Sequence, residues 1–383
     1  MWHTPANLPT DVDVVAVVPD GFGIPWDAFE TGSAPPAPWT ALIDQLVSQV
    51  TSLRKDVFLS LALVDDNGRG RQNLARRAQL VNGALQIVPG WAPPCYDFAT
   101  APEGPARRAA YARYVEFMVR RFNPRYVNVA MEVNLFLTCD SGWEGLVETE
   151  RAAYDAAKAA RPDVITFPSI QLEQLYGYVP VGSCREASLD RCFEASYARL
   201  AGLKRDRFAI STYPHGLPQL GGVNGIPADW FTRASSRGRE RAVFAETGWL
   251  SDPPRVRNGD TCLEPFGTTD LNETGARAYL DRVLNAAEAG GMDLVTLFSN
   301  RDIVPAELMT SCECRIDPAW CALVTAFRMR AGTDPFAQAA GELHLKAFGT
   351  MGIRRHDGRP KGAVFERWEQ ARALPFAPRR GTP

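Results

Sequence analysis

Seven short apolar runs rich in β-branched residues alternate with longer amphipathic stretches, and this alternation restricts the fold more than any other feature of the chain. The runs are Val12–Val18, Val57–Val64, Tyr126–Val133, Val164–Ile170, Phe208–Tyr213, Arg241–Ala245 and Asp293–Phe298. Each is nearly continuous in its apolarity, which is the pattern of strands covered on both faces. Between them the period changes to that of a helix. In Ala109–Phe122, the residues Tyr111, Tyr114, Val115, Met118 and Phe122 share one face. Glu150–Ala160 is alanine-rich and stops at Arg161-Pro162, and Glu273–Ala289 stops at Gly290-Gly291. Pro318–Arg330 reads as a further helix, and the tail from Ala331 as packing or return structure. Strand–helix alternation of this kind predicts a parallel α/β sheet.

The expected fold is a (β/α)8 barrel forming one domain over residues 1–383 with long, cysteine-containing loops, its first strand missing or atypical. An eighth strand is expected either at Leu85–Val88 or upstream of Met1. The spacing of the later runs favours the second choice, with Val12–Val18 as strand two.

Composition excludes several partners. The net charge of −2 gives no bulk attraction to nucleic acid or an anionic membrane. No run approaches the ~18 apolar residues of a membrane span, and Met1–Thr10 lacks the pattern of a signal peptide. The cysteines are Cys95, Cys139, Cys184, Cys192, Cys262, Cys312, Cys314 and Cys321, nearly all in loop-like stretches. Their even number and loop positions predict disulfides and a periplasmic or extracellular location. Pairing of Cys184 with Cys192, and within the group Cys312, Cys314 and Cys321, is expected. That group lacks paired Cys-x-x-Cys spacing, so no zinc site is expected. Neither a metal nor an organic cofactor is expected, and the chain is expected to act as a monomer.

In parallel barrels the reactive groups gather at the C-terminal ends of the strands. Two glutamates stand there: Glu132 at the end of the third run and Glu246 after the sixth, with two runs between them. Two carboxyls about 5–5.5 Å apart serve a retaining glycosidase as acid/base and nucleophile, provided that their pKa values diverge. Asp20, Trp26, Trp91, Asn134, Tyr213, His215, Trp249 and Asp302 also follow strands or loops and are candidate substrate contacts, the aromatics as flat faces for sugar rings. Each has a purely structural reading as well: a strand-end Glu as a salt-bridge partner, the aromatics as core, His215 as a solvated loop residue, and Asp302 with Arg301 as a surface pair. The chain has no G-x-S-x-G elbow, P-loop, His-Glu-x-x-His or dinucleotide glycine fingerprint.

The segment Ala242-Val243-Phe244-Ala245-Glu246-Thr247-Gly248-Trp249 is similar to the nucleophile strand of the clan A glycoside hydrolases. Tyr126-Val127-Asn128-Val129-Ala130-Met131-Glu132-Val133-Asn134 resembles their acid/base strand, and Ser211-Thr212-Tyr213-Pro214 resembles strand six of galactanase-like members, where a Tyr touches the nucleophile. Phe348–Ile353 and Asp357–Lys361 resemble the closing segment of such barrels. The Glu-Thr-Gly-Trp form is similar to the endo-β-1,4-galactanase family (family 53) and the β-1,3-glucanase family (family 17). The resemblance implies a retaining hydrolase acting on a β-linked polysaccharide or oligosaccharide, with Glu132 as acid/base, Glu246 as nucleophile and Tyr213 touching Glu246. Two positions depart from the clan. Met131 stands where an Asn usually contacts the sugar 2-hydroxyl, a contact worth several kcal/mol, and the last strand ends Leu297-Phe298-Ser299 without the usual Trp. The rival readings are a non-catalytic carbohydrate-binding barrel and an α/β enzyme of other chemistry.

Overall fold

A computed structural model describes residues 7–66, 71–178, 188–313, 321, 322, 324, 325, 339, 342, 343 and 346–374. Seven strands form one parallel sheet: β1 Val14–Val17, β2 Asp56–Ser60, β3 Tyr126–Ala130, β4 Ile165–Gln171, β5 Phe208–Thr212, β6 Ala242–Thr247 and β7 Val295–Leu297. Their order in the sheet is their order in the chain. Helices lie in most of the connections: α1 Ala37–Ser52, α2 Gly104–Phe122, α3 Trp143–Ala160, α4 Leu189–Arg199 and α5 Glu273–Gly290, with α6 Gly362–Ala373 after β7. Between β5 and β6 the described connection is made of short 3₁₀ turns. This is (β/α)8-barrel architecture, with seven parallel strands among the described residues.

Burial explains the strand composition. Every residue of β3 and β5 is buried, as the near-continuous apolar runs require. At the end of the sheet order, β1 exposes Ala16. The run Val57–Val64 divides, because Val64 leaves the sheet and begins a short strand, Val64–Asp66, paired antiparallel with Arg71–Leu74. Leu85–Val88 is not a barrel strand. It lies in Ala84–Val88, paired antiparallel with Arg77–Val81 in a hairpin between β2 and α2. The Glu150–Ala160 helix starts earlier than expected, at Trp143, since buried Trp143, Leu146 and Val147 extend its apolar face. Helices α1, α4 and α6 are among those that escaped the periodicity reading. The expected helix Pro318–Arg330 falls largely outside the described residues.

The chain forms two compact units. One comprises residues Val12–Ser211 and Ala234–Ala245, and the other Met1–Asp11, Thr212–Arg233 and Glu246–Pro383. In the first, α2 and α3 pack together, and the Cys95–Cys139 disulfide ties the β2–α2 insertion to the turn after β3. In the second, α5 packs on α6. Trp368 of α6 donates to the Asp11 carbonyl at 2.7 Å, and Arg354 pairs with the Asp11 carboxylate at 2.6 Å. Cys262–Cys312 joins the hairpin Val256–Leu263 to a distant loop. Cys312 therefore pairs outside the group expected for it, because its sulfur lies beside Cys262 rather than its sequence neighbours. Cys192 and Cys321 are also disulfide-bonded, while Cys184 and Cys314 lie outside the described residues. No helix among the described residues is long and apolar enough to cross a membrane.

Glu150 is an unusual core residue. It is fully buried on α3, and its Oε2 accepts from the Lys204 backbone N–H at 3.1 Å. Burial pushes its pKa up to about 8, against the pull of that hydrogen bond and of Arg151, Arg205 and Lys204. The folded chain therefore keeps a proton that the unfolded chain releases near the ordinary carboxylate range, and stability falls as pH rises from about 4.5 to about 8. Glu150→Gln is expected to flatten this slope and to stabilise the protein at pH 8 relative to wild type. Urea unfolding at pH 5 and pH 8 measures both effects, a tenfold change in the folding equilibrium corresponding to about 1.4 kcal/mol.

Candidate active site

In the first unit, Glu132 is placed by a buried polar pin. Asn128 sits inside β3 and donates to Ser60 Oγ of β2 at 3.1 Å and to Ser169 Oγ of β4 at 3.0 Å. Its carbonyl oxygen accepts from the backbone N–H of Ser169 at 3.0 Å. Ser169 Oγ in turn accepts from the Glu132 N–H at 2.9 Å. Glu132 itself has φ 47°, a left-handed conformation that non-glycine residues rarely adopt and that costs on the order of 1–3 kcal/mol. It turns the chain from β3 into the 3₁₀ segment Val133–Thr138. Its flanking residues Met131 and Val133 are buried, whereas Glu132 is partly exposed. Its Oε1 accepts from Ser211 Oγ at 2.7 Å, and its Oε2 from Arg71 Nε at 3.1 Å.

In the second unit, Glu246 is the one partly exposed residue of the stretch Ala242–Leu250. Its Oε1 accepts from the Tyr213 hydroxyl at 2.5 Å, the contact expected of that tyrosine. Next to it, Thr247 Oγ1 donates to the Thr212 carbonyl at 2.8 Å and lies 2.6 Å from the Tyr279 hydroxyl. The Tyr213 ring stands edge-on to Phe348 at 4.9 Å and to His215 at 6.1 Å between centroids. His215 is buried edge-on to Phe266 and Trp249. Burial drops its pKa to about 4, so the imidazole is neutral at neutral pH. The peptide joining Phe298 to Ser299 is cis.

The other expected contacts differ in what they offer a ligand. Trp26 is 0% exposed, stacked on Tyr111, and donates to the Ala75 carbonyl at 3.1 Å. It has no open face for a sugar. Trp249 is 3% exposed, stacks on Tyr279, and donates to the Asp270 carbonyl. Asn134 is likewise sealed: its carbonyl accepts from Gln171 N–H at 2.8 Å, and its amide donates to the Gln171 carbonyl and to Gln174 Oε1. The side chain thus fixes the start of the turn after β4. Asp302 is not a surface partner of Arg301. It is buried against Lys361 Nζ at 2.6 Å, and that amine also donates to Ser251 and to the Thr350 carbonyl.

Two expected contacts remain partly exposed. Trp91 has the guanidinium groups of Arg107 and Arg77 over its ring at 4.8 and 5.4 Å. Asp20 accepts from the Ala62 N–H at 3.3 Å. The protein around its carboxyl raises the pKa to about 6, opposed by the charges of Arg71 and Arg76.

Sequence reasoning passed over Asn128, Ser169, Ser211, Arg71 and Phe348 as site residues. The first three carried a signal, since each is a polar side chain inside an apolar strand run, where a buried amide or hydroxyl needs a partner. Arg71, in a polar aperiodic stretch, carried none.

The parallel sheet thus carries a partly exposed acid just after its third strand and another near the end of its sixth. Among solved structures, the chain is similar to an exo-β-1,4-mannosidase from Opitutaceae bacterium strain TAV5. It shares 14% identity with that protein over 94% of this chain and 53% of the mannosidase, with a TM-score of 0.54. The chain thus spans about half the length of that protein. It is also similar to a GH5_18 protein from Streptomyces cattleya in complex with Manβ1-4GlcNAc, at 16% identity over 97% and 73% of the two chains and a TM-score of 0.52. These two likenesses establish the (β/α)8-barrel fold. A fungal β-1,4-galactanase aligns over 93% and 88% at 13% identity, with a TM-score of 0.49. No family model and no curated protein matches the chain.

The Glu246-Thr-Gly-Trp turn has a steric requirement. A Cβ on Gly248 would stand 2.9 Å from the Phe298 carbonyl oxygen and 2.6 Å from Met351 Sδ. The sulfur can move, but the backbone oxygen after β7 cannot move cheaply. Gly248→Ala is expected to lower stability by about 1–3 kcal/mol, read as a reduced urea midpoint at unchanged m-value.

Proposed function

We propose that this chain is a retaining glycoside hydrolase acting on a β-linked glycan as a single catalytic domain, with Glu246 as nucleophile and Glu132 as general acid/base. The observation that carries the reading is the hydroxyl of Tyr213 on the carboxylate of Glu246, a partly exposed acid at the end of an otherwise buried strand. A phenol donor fixes the rotamer of a carboxylate and supplies charge-assisted hydrogen bonding. Glu132 matches it as the partly exposed acid that ends β3, held by Ser211 and Arg71. The mannosidase and the GH5_18 protein named above, the second bound to a β-linked disaccharide, support the substrate class.

In the first step a Glu246 oxygen attacks the anomeric carbon. The glycosidic C–O bond breaks, and Glu132 gives its proton to the leaving oxygen. In the second step Glu132 takes a proton from water, the hydroxide oxygen bonds to the anomeric carbon, and the ester to Glu246 is released. The chain's own residues supply both proton transfers, so the mechanism calls on no cofactor. The disulfides support a periplasmic or extracellular site of action.

The engagement of both Glu132 oxygens favours a second reading, a carbohydrate-binding barrel in which that acid is structural. Turnover decides between them. On an aryl β-glycoside, Glu246→Gln is expected to abolish hydrolysis, and Glu132→Gln to lower kcat by about 10²–10⁴-fold. Azide added to Glu246→Ala should yield a glycosyl azide of inverted configuration. Near-wild-type rates in either Gln variant would end the assignment. Screening β-mannan, β-galactan, β-glucan and arabinan with product analysis identifies the sugar.

A further inference from the structure

Arg71 meets Glu132 from a segment that has no place in the sheet. It opens the short strand Arg71–Leu74 in the insertion between β2 and α2. Among its contacts, the guanidinium Nε donates to Glu132 Oε2 at 3.1 Å, Nη1 to the Val64 carbonyl at 3.0 Å, and Nη2 approaches Met131 Sδ at 3.0 Å. Only 16% of the Arg71 side chain and 14% of the Glu132 side chain are exposed, so the pair is shielded and far less screened than a surface ion pair.

The insertion is also fastened to the residues that follow Glu132. Cys95 is disulfide-bonded to Cys139, Gln72 Nε2 donates to Thr138 Oγ1 at 3.1 Å, and the Cys95 N–H donates to the Gln72 carbonyl at 2.8 Å. The strand carrying Arg71 and the turn leaving Glu132 are thus joined by a covalent bond and two hydrogen bonds. Glu132 sits in a left-handed backbone conformation, and such a residue keeps its geometry only where its surroundings over-determine it.

We propose that Arg71 is a positioning residue for Glu132. With Ser211 on the other carboxylate oxygen, it locks the side chain in the orientation that delivers a proton to the leaving group. The disulfide-braced insertion exists in part to hold it there. This inference rests on the reading of Glu132 as general acid/base. Its physical basis is orientation: a carboxyl free to rotate spends most of its time off the line of proton transfer, and a misplacement of about 1 Å can cost on the order of 10²-fold in rate.

The test separates proton delivery from everything else by the leaving group. Two aryl glycosides of the same sugar are compared by kcat/KM, which reports the glycosylation step. The 2,4-dinitrophenyl glycoside leaves without help from an acid, and the unsubstituted phenyl glycoside needs one. For Arg71→Ala, the phenyl glycoside is expected to lose about 10–100-fold in kcat/KM and the dinitrophenyl glycoside less than about 3-fold. Added guanidinium ion should restore part of the loss, and Arg71→Lys should fall between Ala and wild type. Glu132→Gln is run beside them and should show the same split, at least as large.

If Arg71 only stabilises the fold, its variants lose on both substrates alike or on neither, and guanidinium does not help; that result overturns the inference while the Glu132 split leaves the catalytic reading in place. If Glu132→Gln shows no split, the catalytic reading itself fails and the inference falls with it. Should Arg71→Ala fold poorly, the Lys variant carries the same comparison.

Discussion

A single buried amide organises the first unit. Asn128 has polar partners on both sides of β3, Ser60 on β2 and Ser169 on β4, and it is 1% exposed. A hydrogen bond in that setting contributes only about 0.5–1.5 kcal/mol net, but leaving the amide unpaired costs about 1–3 kcal/mol. The asymmetry makes the pin a device for register. Sliding β3 along either neighbour strands the amide among apolar side chains, whereas Leu and Val neighbours tolerate many alignments. The ladder between β3 and β4 shifts register between Asn128 and Ala130, at the pin. Because Ser169 accepts both the Asn128 amide and the Glu132 N–H, the alignment of β3 with β4 and the backbone of the acid at the end of β3 are set by the same hydroxyl.

The second unit reaches a comparable result with aromatic packing. Tyr213, His215, Trp249, Phe266, Tyr279 and Phe348 meet edge to face or stacked. Their polar atoms point at fixed acceptors: the Tyr213 hydroxyl at Glu246 and the Trp249 indole at the Asp270 carbonyl. Rings of this kind give up few torsions on packing, so the phenol arrives at Glu246 already oriented. The neutral buried imidazole of His215 belongs to this packing, since its low pKa removes any charge that would need solvation.

What could be read in the sequence follows from where burial acts. β3 and β5 were legible because both of their faces are covered, which forces every position to be apolar or to carry a paired polar group. Run ends were less so. Apolarity outlasts the ladder where the turn after a strand is packed as tightly as the strand, as buried Met131 and Val133 show beyond the end of β3. Helix α1 was invisible because it opens at Pro36 and buries only Trp39, Ile43 and Val50 over its 16 residues. Glu132 and Glu246 stood out as acids ending apolar runs. Trp26, Asn134 and Asp302 also follow strands, but their side chains turn inward to satisfy backbone groups or a buried lysine. Arg71 was illegible for the opposite reason: its partner lies 61 residues away, and nothing local selects it.

The two donors on Glu132 are not equivalent, and the difference bears on the proposed mechanism. A guanidinium offers hydrogens and accepts none, whereas a serine hydroxyl donates or accepts by rotation. A proton on Oε2 would face the Arg71 Nε–H; a proton on Oε1 meets a hydroxyl that can turn to receive it or turn away. The acid/base cycle requires one carboxyl to lose a proton and then regain it. Under the proposed mechanism the exchange would run through Oε1, with Ser211 free to turn away when that oxygen carries the proton while Arg71 keeps its contact with Oε2. A fixed cation on one oxygen and an adaptable hydroxyl on the other would let the proposed acid/base hold its orientation in both protonation states, which a pair of fixed donors would not allow.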